Sequence, residues 1–376
     1  MPPKDHALVS AQEGGKDLPS TNGDSWSVAV RATVSAMSAL EFRYVKGSIH
    51  LPALRLWLDA HQAIGPDETV FVSHAHSDHT ARHARVVFSA PTQKLMRARI
   101  PGKRAEHVLG FGSRASAADL GPGTSDFGIT LLPAGHIFGS AMSLVETESG
   151  SLLYTGDFKL RPCLTAEICG PRRADTLVME TTFGLPRYVL PPTDEVVRDI
   201  LTFCRAGLAE GAVPVLMCYS LGKSQEILRS LTDASIPVML SLPVAKMTEV
   251  YEACGHRFPG WRPLDVEQPG GHVVICPPGP KLDELRSKHP KVRTAVLTGW
   301  AMEPGCRYRY RADAAFPLSD HADFPDLIEF VKRVGPKRVF TVHGFAAEFA
   351  TTLRDMGIEA WALGKENQLT LPLGLG

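Results

Sequence analysis

Short apolar runs broken by turn residues dominate the chain between residues 40 and 190. Leu54-Arg-Leu-Trp-Leu, Thr69-Val-Phe-Val, Val86-Val-Phe-Ser, Ile129-Thr-Leu-Leu and Thr176-Leu-Val-Met each have the length and apolar content of a buried strand. Ser143-Leu-Val-Glu and Leu152-Leu-Tyr-Thr read as a hairpin turning at Glu148-Ser-Gly150. A helix is expected from Asp78 through Arg85, and Gly- and Ser-rich loops around one short turn over residues 110–128. Beyond Pro191-Pro192 the period lengthens. Val196, Ile200, Leu201, Phe203 and Cys204 fall at helical spacing within residues 194–210, and the strand Val213-Pro-Val-Leu-Met-Cys follows. Ser220-Leu-Gly-Lys then opens another helix, so this region reads as a second α/β unit. Residues 255–290 read mostly as loops around the strand His272-Val-Val-Ile. Read as a strand, Arg307-Tyr-Arg-Tyr-Arg311 would carry Arg307, Arg309 and Arg311 on one face and two tyrosines on the other. That suits either a polynucleotide groove or a charged edge strand. A helix over 324–334, a strand over 338–342 and a closing helix and strand from Glu348 through Trp361 end the pattern. Residues 1–36, rich in Gly, Ser, Asp and Lys, are expected to form a mobile tail.

Several apolar runs deliver a ligand-type side chain at their C-terminal end. Phe71-Val72 leads into Ser73-His74-Ala-His76-Ser-Asp78-His79, three imidazoles and a carboxylate within six positions. Asp59, His136, Asp157 and Glu180 end other runs in the same way. A lone buried carboxylate or imidazole needs a partner, and five such endings in succession argue for one site along a sheet edge. The plain alternative for the His74 loop is a polar turn capped by Ser77 or Asp78; Asp59 alone reads best as a turn residue. Gly222-Lys223-Ser224 tempts a P-loop reading, but Met217 stands where that motif needs glycine. Lys223 at a helix start is left as either a phosphate contact or a surface lysine. Lys94, Arg97, Arg99, Lys103 and Arg104 read as a solvated helix face, with a phosphate-facing surface as the alternative.

At 376 residues the chain can build two domains, and 44% apolar with 21% charged residues is the composition of a globular protein. Forty basic residues balance forty acidic ones, so overall charge makes no case for a nucleic-acid partner. Seven dispersed cysteines without a Cys-x-x-Cys pair fit a reducing compartment. No stretch has the length of a membrane span, and Met1-Pro-Pro-Lys-Asp-His lacks a signal peptide's apolar segment. A cytoplasmic protein is expected.

Zinc favours His and carboxylate, and two ions sharing a carboxylate suit displacement at phosphorus. His74, His76, Asp78, His79, His136, Asp157 and one late histidine make a sufficient ligand set. A leaving alkoxide needs a proton from outside the metal shell; His321, oriented by a carboxylate such as Glu180, is the candidate. In this combination, His74-Ala-His-Ser-Asp-His79 with Asp59, His136 and Asp157 resembles the metallo-β-lactamase fold. Glu180-Thr-Thr-Phe-Gly, Leu221-Gly-Lys-Ser-Gln-Glu, Ser319-Asp-His-Ala-Asp and Val342-His343-Gly are similar to motifs of its β-CASP nuclease branch. Residues 45–365 most resemble the bacterial DNA-ligase-associated exonucleases, above all at Thr181-Thr-Phe-Gly-Leu-Pro-Arg-Tyr and Leu318-Ser-Asp-His-Ala-Asp-Phe-Pro.

The resemblance implies an α/β protein: an αββα sandwich from residues 37–190 and 315–376, with a β-CASP α/β domain inserted over 191–314. It implies one zinc on His74, His76 and His136, another on Asp78, His79 and His343, and Asp157 bridging them. Asp59 would orient the ligand loop from behind, and Asp78, Glu180 and His321 would serve catalysis. Manganese suits the same donors. The implied activity is a DNA exonuclease of repair or ligation, with an ATP-dependent DNA ligase and a helicase as partners by family association. His343 is typical of RNA-processing members, so an RNA-processing nuclease is the alternative. A thioesterase- or lactonase-like hydrolase and a catalytically dead scaffold are further readings, disfavoured by the Glu180/His321 pair and the complete ligand set.

Overall fold

The structure, a computed structural model, describes residues 40–120 and 126–364; the expected N-terminal tail lies outside them. Two sheets pack face to face. The first orders Arg43–Val45, Ser48–Leu51, Leu56–Leu58, Thr69–Phe71, Arg85–Phe88 and Ala105–Val108. The second orders Ala360–Ala362, Arg338–Val342, Thr176–Glu180, Gly150–Tyr154, Ala141–Thr147, Gly128–Pro133 and Arg114–Ser116. Inward side chains of both, among them Ile49, Leu58, Phe71, Leu131, Val145 and Val178, form one buried core between the layers. Helices Phe324–Val334 and Ala346–Asp355 cover the outside of the second sheet through Phe330, Val334, Phe349 and Leu353. Helix Ala90–Arg99 covers the outside of the first through Leu95 and Met96. This is the αββα sandwich.

A third, all-parallel sheet comes from residues 213–316, in the order Arg262–Pro263, Val238–Leu240, Val273–Cys276, Val213–Met217, Val292–Leu297 and Ala314–Phe316. Its inner strands Val213–Met217, Val238–Leu240 and Val273–Cys276 are buried along their whole length, as parallel strands covered on both sides must be. One face shares a core with the outside of the first sheet: Ile227, Leu240 and Tyr251 lie in the same cluster as Val70, Val86 and Phe88. Among the described residues no helix is long and apolar enough to cross a membrane.

Parallel registers bring the strand ends together. Leu58 pairs with Phe71, which sets Asp59 beside the start of the His74 loop. Tyr154 pairs with Val178 and Glu180 with Val342, so Asp157, Glu180 and His343 emerge at one edge. Ligands of open α/β sheets gather at carboxyl ends of strands for this reason.

Three local expectations fail. Residues 78–84 are turn and irregular structure, not helix. His79, Thr80 and His83 are all buried there, His79 tied to Asp59 and Thr80 to the His76 carbonyl; buried partners on several sides override weak helical propensity. Within the expected loops of 255–290, Pro280–Lys288 is a helix, opened by proline after Gly279 and seated on Leu282 and Leu285. Arg307-Tyr-Arg-Tyr-Arg311 is not a strand. Cys306–Arg309 is a short helix following the left-handed Gly305, with Cys306 buried and the Ala312 amide bonded back to the Arg307 carbonyl. Residues 110–120 hold the expected short turn at Ala117–Leu120, preceded by a short strand, Arg114–Ser116.

Candidate active site

Asp59 is the buried anchor of the site. It stands in a left-handed conformation (φ 48°) at the end of Leu56–Leu58 and is wholly inaccessible to solvent. Four donors satisfy its carboxylate: the Ser73 amide at 2.7 Å, the Ser73 hydroxyl at 2.5 Å, His79 Nδ1 at 2.9 Å and the Tyr154 hydroxyl at 3.0 Å. Burial and then the Asp59 charge push the Tyr154 phenol well above its ordinary pKa, so it remains a donor.

The hydrogen bonds behind each histidine decide which nitrogen carries the proton. Ser73 donates its hydroxyl to Asp59, so it accepts from His74 Nδ1 at 2.9 Å and leaves Nε2 bare. His76 Nε2 donates to the Leu221 carbonyl at 3.1 Å and leaves Nδ1 bare. His136 Nδ1 donates to the Asp320 carbonyl at 2.8 Å and leaves Nε2 bare. These bare nitrogens meet: His74 Nε2 and His136 Nε2 lie 3.0 and 3.1 Å from His76 Nδ1. Asp157 Oδ2 sits 3.6 and 3.8 Å from the outer two. Burial holds all three imidazoles below their ordinary pKa, His76 down to about 4, so they are neutral. Lone pairs directed at one another repel unless a cation lies between them. One ligand atom from each of His74, His76, His136 and Asp157 falls within a 4.8 Å group, so this donor set fits a metal ion.

On the other side of Asp157, His79 Nε2 approaches Oδ2 at 3.3 Å. Burial works to lower the His79 pKa, but Asp157 and then Asp59 outweigh it and hold it well above the ordinary value; positive charge is favoured there. The His343 ring lies 6.0 Å from that of His79, and its buried Nε2 has no protein partner. Asp78 is exposed at the tip of the loop, within electrostatic reach of His79 and Asp157. Asp78, His79 and His343 form no group as tight as the first among the described residues.

His343 is itself left-handed (φ 58°), and Gly344 follows at φ 56°. A Cβ on Gly344 would lie 2.4 Å from Thr182 Cα and 2.5 Å from the Thr181 carbonyl oxygen. Gly344→Ala is therefore expected to cost about 2–4 kcal/mol in denaturant unfolding, from strain and backbone collision; an unchanged midpoint would contradict this packing.

Glu180 and His321 form a pair beside the cluster. His321 Nδ1 lies 2.8 Å from Glu180 Oε1, and Glu180 also accepts from the amides of Phe158 and Thr182. Burial acts to lower the His321 pKa, yet Glu180 and then Asp157 raise it to about 10. It is an imidazolium at neutral pH, with its ring 4.8 Å from that of His136.

Residues 309–363 match the family described as a Zn-dependent metallo-hydrolase RNA specificity domain. The chain is 56% identical over 324 residues to a probable DNA ligase of Opitutus terrae, covering 86% of this chain and 31% of that protein. It is 25% identical over 292 residues to the 5' exonuclease Apollo of Rattus norvegicus, covering 74% and 51%. The chain belongs to the β-CASP branch of the metallo-β-lactamase fold. It spans less than two thirds of the length of either relative. A crystal structure of an Enterococcus faecalis protein of unknown function has the same fold, with a TM-score of 0.55 at 12% identity and 79% of each chain covered.

The expected substrate contacts at Lys223 and at Arg307, Arg309 and Arg311 look different on this β-CASP scaffold. Lys223 is neither a surface lysine nor placed to meet a phosphate: it is buried, with Nζ 2.9 Å from Asp320 Oδ1. Arg307, Arg309 and Arg311 share no strand face, since the helical turn rotates Arg307 and Arg309 by roughly 200° relative to one another. All three are exposed.

Sequence reasoning passed over Ser73, Tyr154, Asp320 and His61. The first three act behind other residues and carry no spacing signal. His61 lies two residues beyond Asp59, its buried Nε2 without a partner and its ring parallel to that of His343 at 6.4 Å. A histidine so soon after the strand-ending Asp59 was the available clue.

Proposed function

We propose that this chain is a two-zinc nuclease that hydrolyses phosphodiester bonds, acting on DNA as an exonuclease in repair or ligation. The observation that carries the reading is the Glu180–His321 imidazolium beside a cluster of proton-free ring nitrogens, a proton donor outside a metal-type donor set. His74, His76 and His136 would hold one ion, Asp78, His79 and His343 the other, and Asp157 both; manganese suits the same donors. When bound, the metal supplies Lewis-acid polarisation of the scissile phosphate.

The chain's own groups do the rest. Glu180 occupies His321 Nδ1, so the transferable proton is the one on Nε2, and its acceptor is the leaving oxygen. Asp59 keeps the His74 loop in place, and residues 191–314, as an inserted cap, would leave a groove for a strand. The relatives' names, a DNA ligase and a 5' exonuclease, support DNA and a ligase partner. The matched RNA specificity domain supports the RNA-processing alternative. End-labelled single-stranded DNA and RNA, digested side by side, test the choice: faster loss of DNA is expected, and a preference for RNA would overturn the DNA assignment. Turnover of a generic thioester without any nuclease activity would overturn both.

The pH profile tests the acid. Because Glu180 raises the His321 pKa, Glu180→Gln should lower it, and the protonated form should disappear at lower pH. The alkaline limb of kcat is expected to move down by about 1–3 pH units; a limb that stays in place would remove His321 from the step.

A further inference from the structure

The turn Leu221-Gly-Lys-Ser-Gln-Glu226 belongs to the third-sheet unit, yet its contacts run to the other side of the molecule. The Leu221 carbonyl accepts the proton of His76 Nε2 at 3.1 Å across 145 positions of sequence. Gly222, at φ 91°, approaches so closely that an added Cβ would lie 2.2 Å from Ile137 Cγ2, next to His136. Lys223 forms a buried ion pair with Asp320, whose carbonyl fixes His136 Nδ1 and whose chain neighbour is His321. Glu226 forms a second buried pair at 3.0 Å with Lys159, two residues beyond Asp157. Gln225 makes the turn rigid by bonding the Gly222 amide, the Ser220 carbonyl and Thr248.

Two buried ion pairs in one short segment are a poor way to gain stability, because desolvation consumes most of their attraction. What they add is placement. We propose that Leu221–Glu226 is the positioning element of the His74/His76/His136 half of the site: through the Leu221 carbonyl and the Lys223–Asp320 pair it sets the direction of His76, His136 and His321. Docking of the third-sheet unit thereby orients the donor set, and Lys223 acts as a positioning residue rather than a substrate contact. The inference rests on the metallonuclease reading above for its consequence in cleavage, but its contacts and its test concern metal binding alone.

The test is cobalt(II) binding to the full chain, followed by visible absorption and by competition with a chelator, for wild type, Lys223→Met and Lys223→Arg. Lys223→Met is expected to weaken one of the two ions about 10–100-fold, the range for loss of a partner behind a ligand, and to change the cobalt band. Lys223→Arg should restore most of both. If Lys223→Met does not fold, the double variant Lys223→Met/Asp320→Asn removes both charges together and takes its place. Unchanged affinity and band in a cooperatively folded variant would overturn the proposal, as would failure of Lys223→Arg to recover. Wild-type protein that binds cobalt as expected but cleaves no polynucleotide would overturn the nuclease reading and leave this one standing.

Discussion

His76→Ala is expected to reduce hydrolysis to background. His76 Nδ1 is the nitrogen on which the cluster closes, within 3.1 Å of both His74 Nε2 and His136 Nε2. No neighbour can substitute for it, because the hydrogen bonds behind His74 and His136 commit their other nitrogens. The ring is only partly buried, so its removal leaves no large apolar cavity and the fold should survive. The loss should exceed the 10–100-fold typical of a residue standing behind a ligand, since here the ligand itself goes. The check is activity at controlled metal content. Full activity with full metal occupancy would refute the assignment of His76.

His321→Ala should act differently. If His321 supplies the proton to the leaving oxygen, kcat should fall by about 10²–10⁴, the usual worth of a general acid, while metal content stays at the wild-type level. The contrast matters because the geometry offers a competing role. His321 lies in tight groups with His136 and Asp320 and with Asp157 and Glu180, either of which could in principle hold a cation. Metal analysis of the purified variant separates the two: retained metal with slow cleavage supports the acid, and lost metal makes His321 a ligand. The Glu180 contact favours the acid, because it occupies His321 Nδ1 and leaves the proton on Nε2 as the transferable one.

Much of this site could be read from the chain because the fold uses one device repeatedly. An apolar strand ends, and a ligand-type residue follows; parallel pairing then lines those ends up. Asp59, the His74 loop, His136, Asp157 and Glu180 were all visible in this way, and the family motifs linked them to His321 and His343. The backbone of the site was not visible. The carbonyls of Leu221 and Asp320, which decide the proton positions of His76 and His136, leave no mark in side-chain identity. Lys223 was misjudged for a related reason. Its neighbours in sequence suggest a helix start open to solvent, whereas its partner Asp320 comes from 97 residues away and buries it. In Arg307–Arg311 the alternation was real but local: the buried Cys306 and left-handed Gly305 impose a helical turn, and a five-residue pattern cannot outweigh such anchors. Pro280–Lys288 was read as loop, although proline after glycine and leucines three apart mark a helix start.

The most direct test of the central claim is the metal stoichiometry of the purified chain, measured together with release of label from end-labelled single-stranded DNA as a chelator strips the metal. Two ions per chain, with cleavage lost as they leave and restored by added zinc or manganese, is the predicted result. A chain that cleaves at full rate with no metal bound, or that carries two ions and leaves every polynucleotide intact, would contradict it.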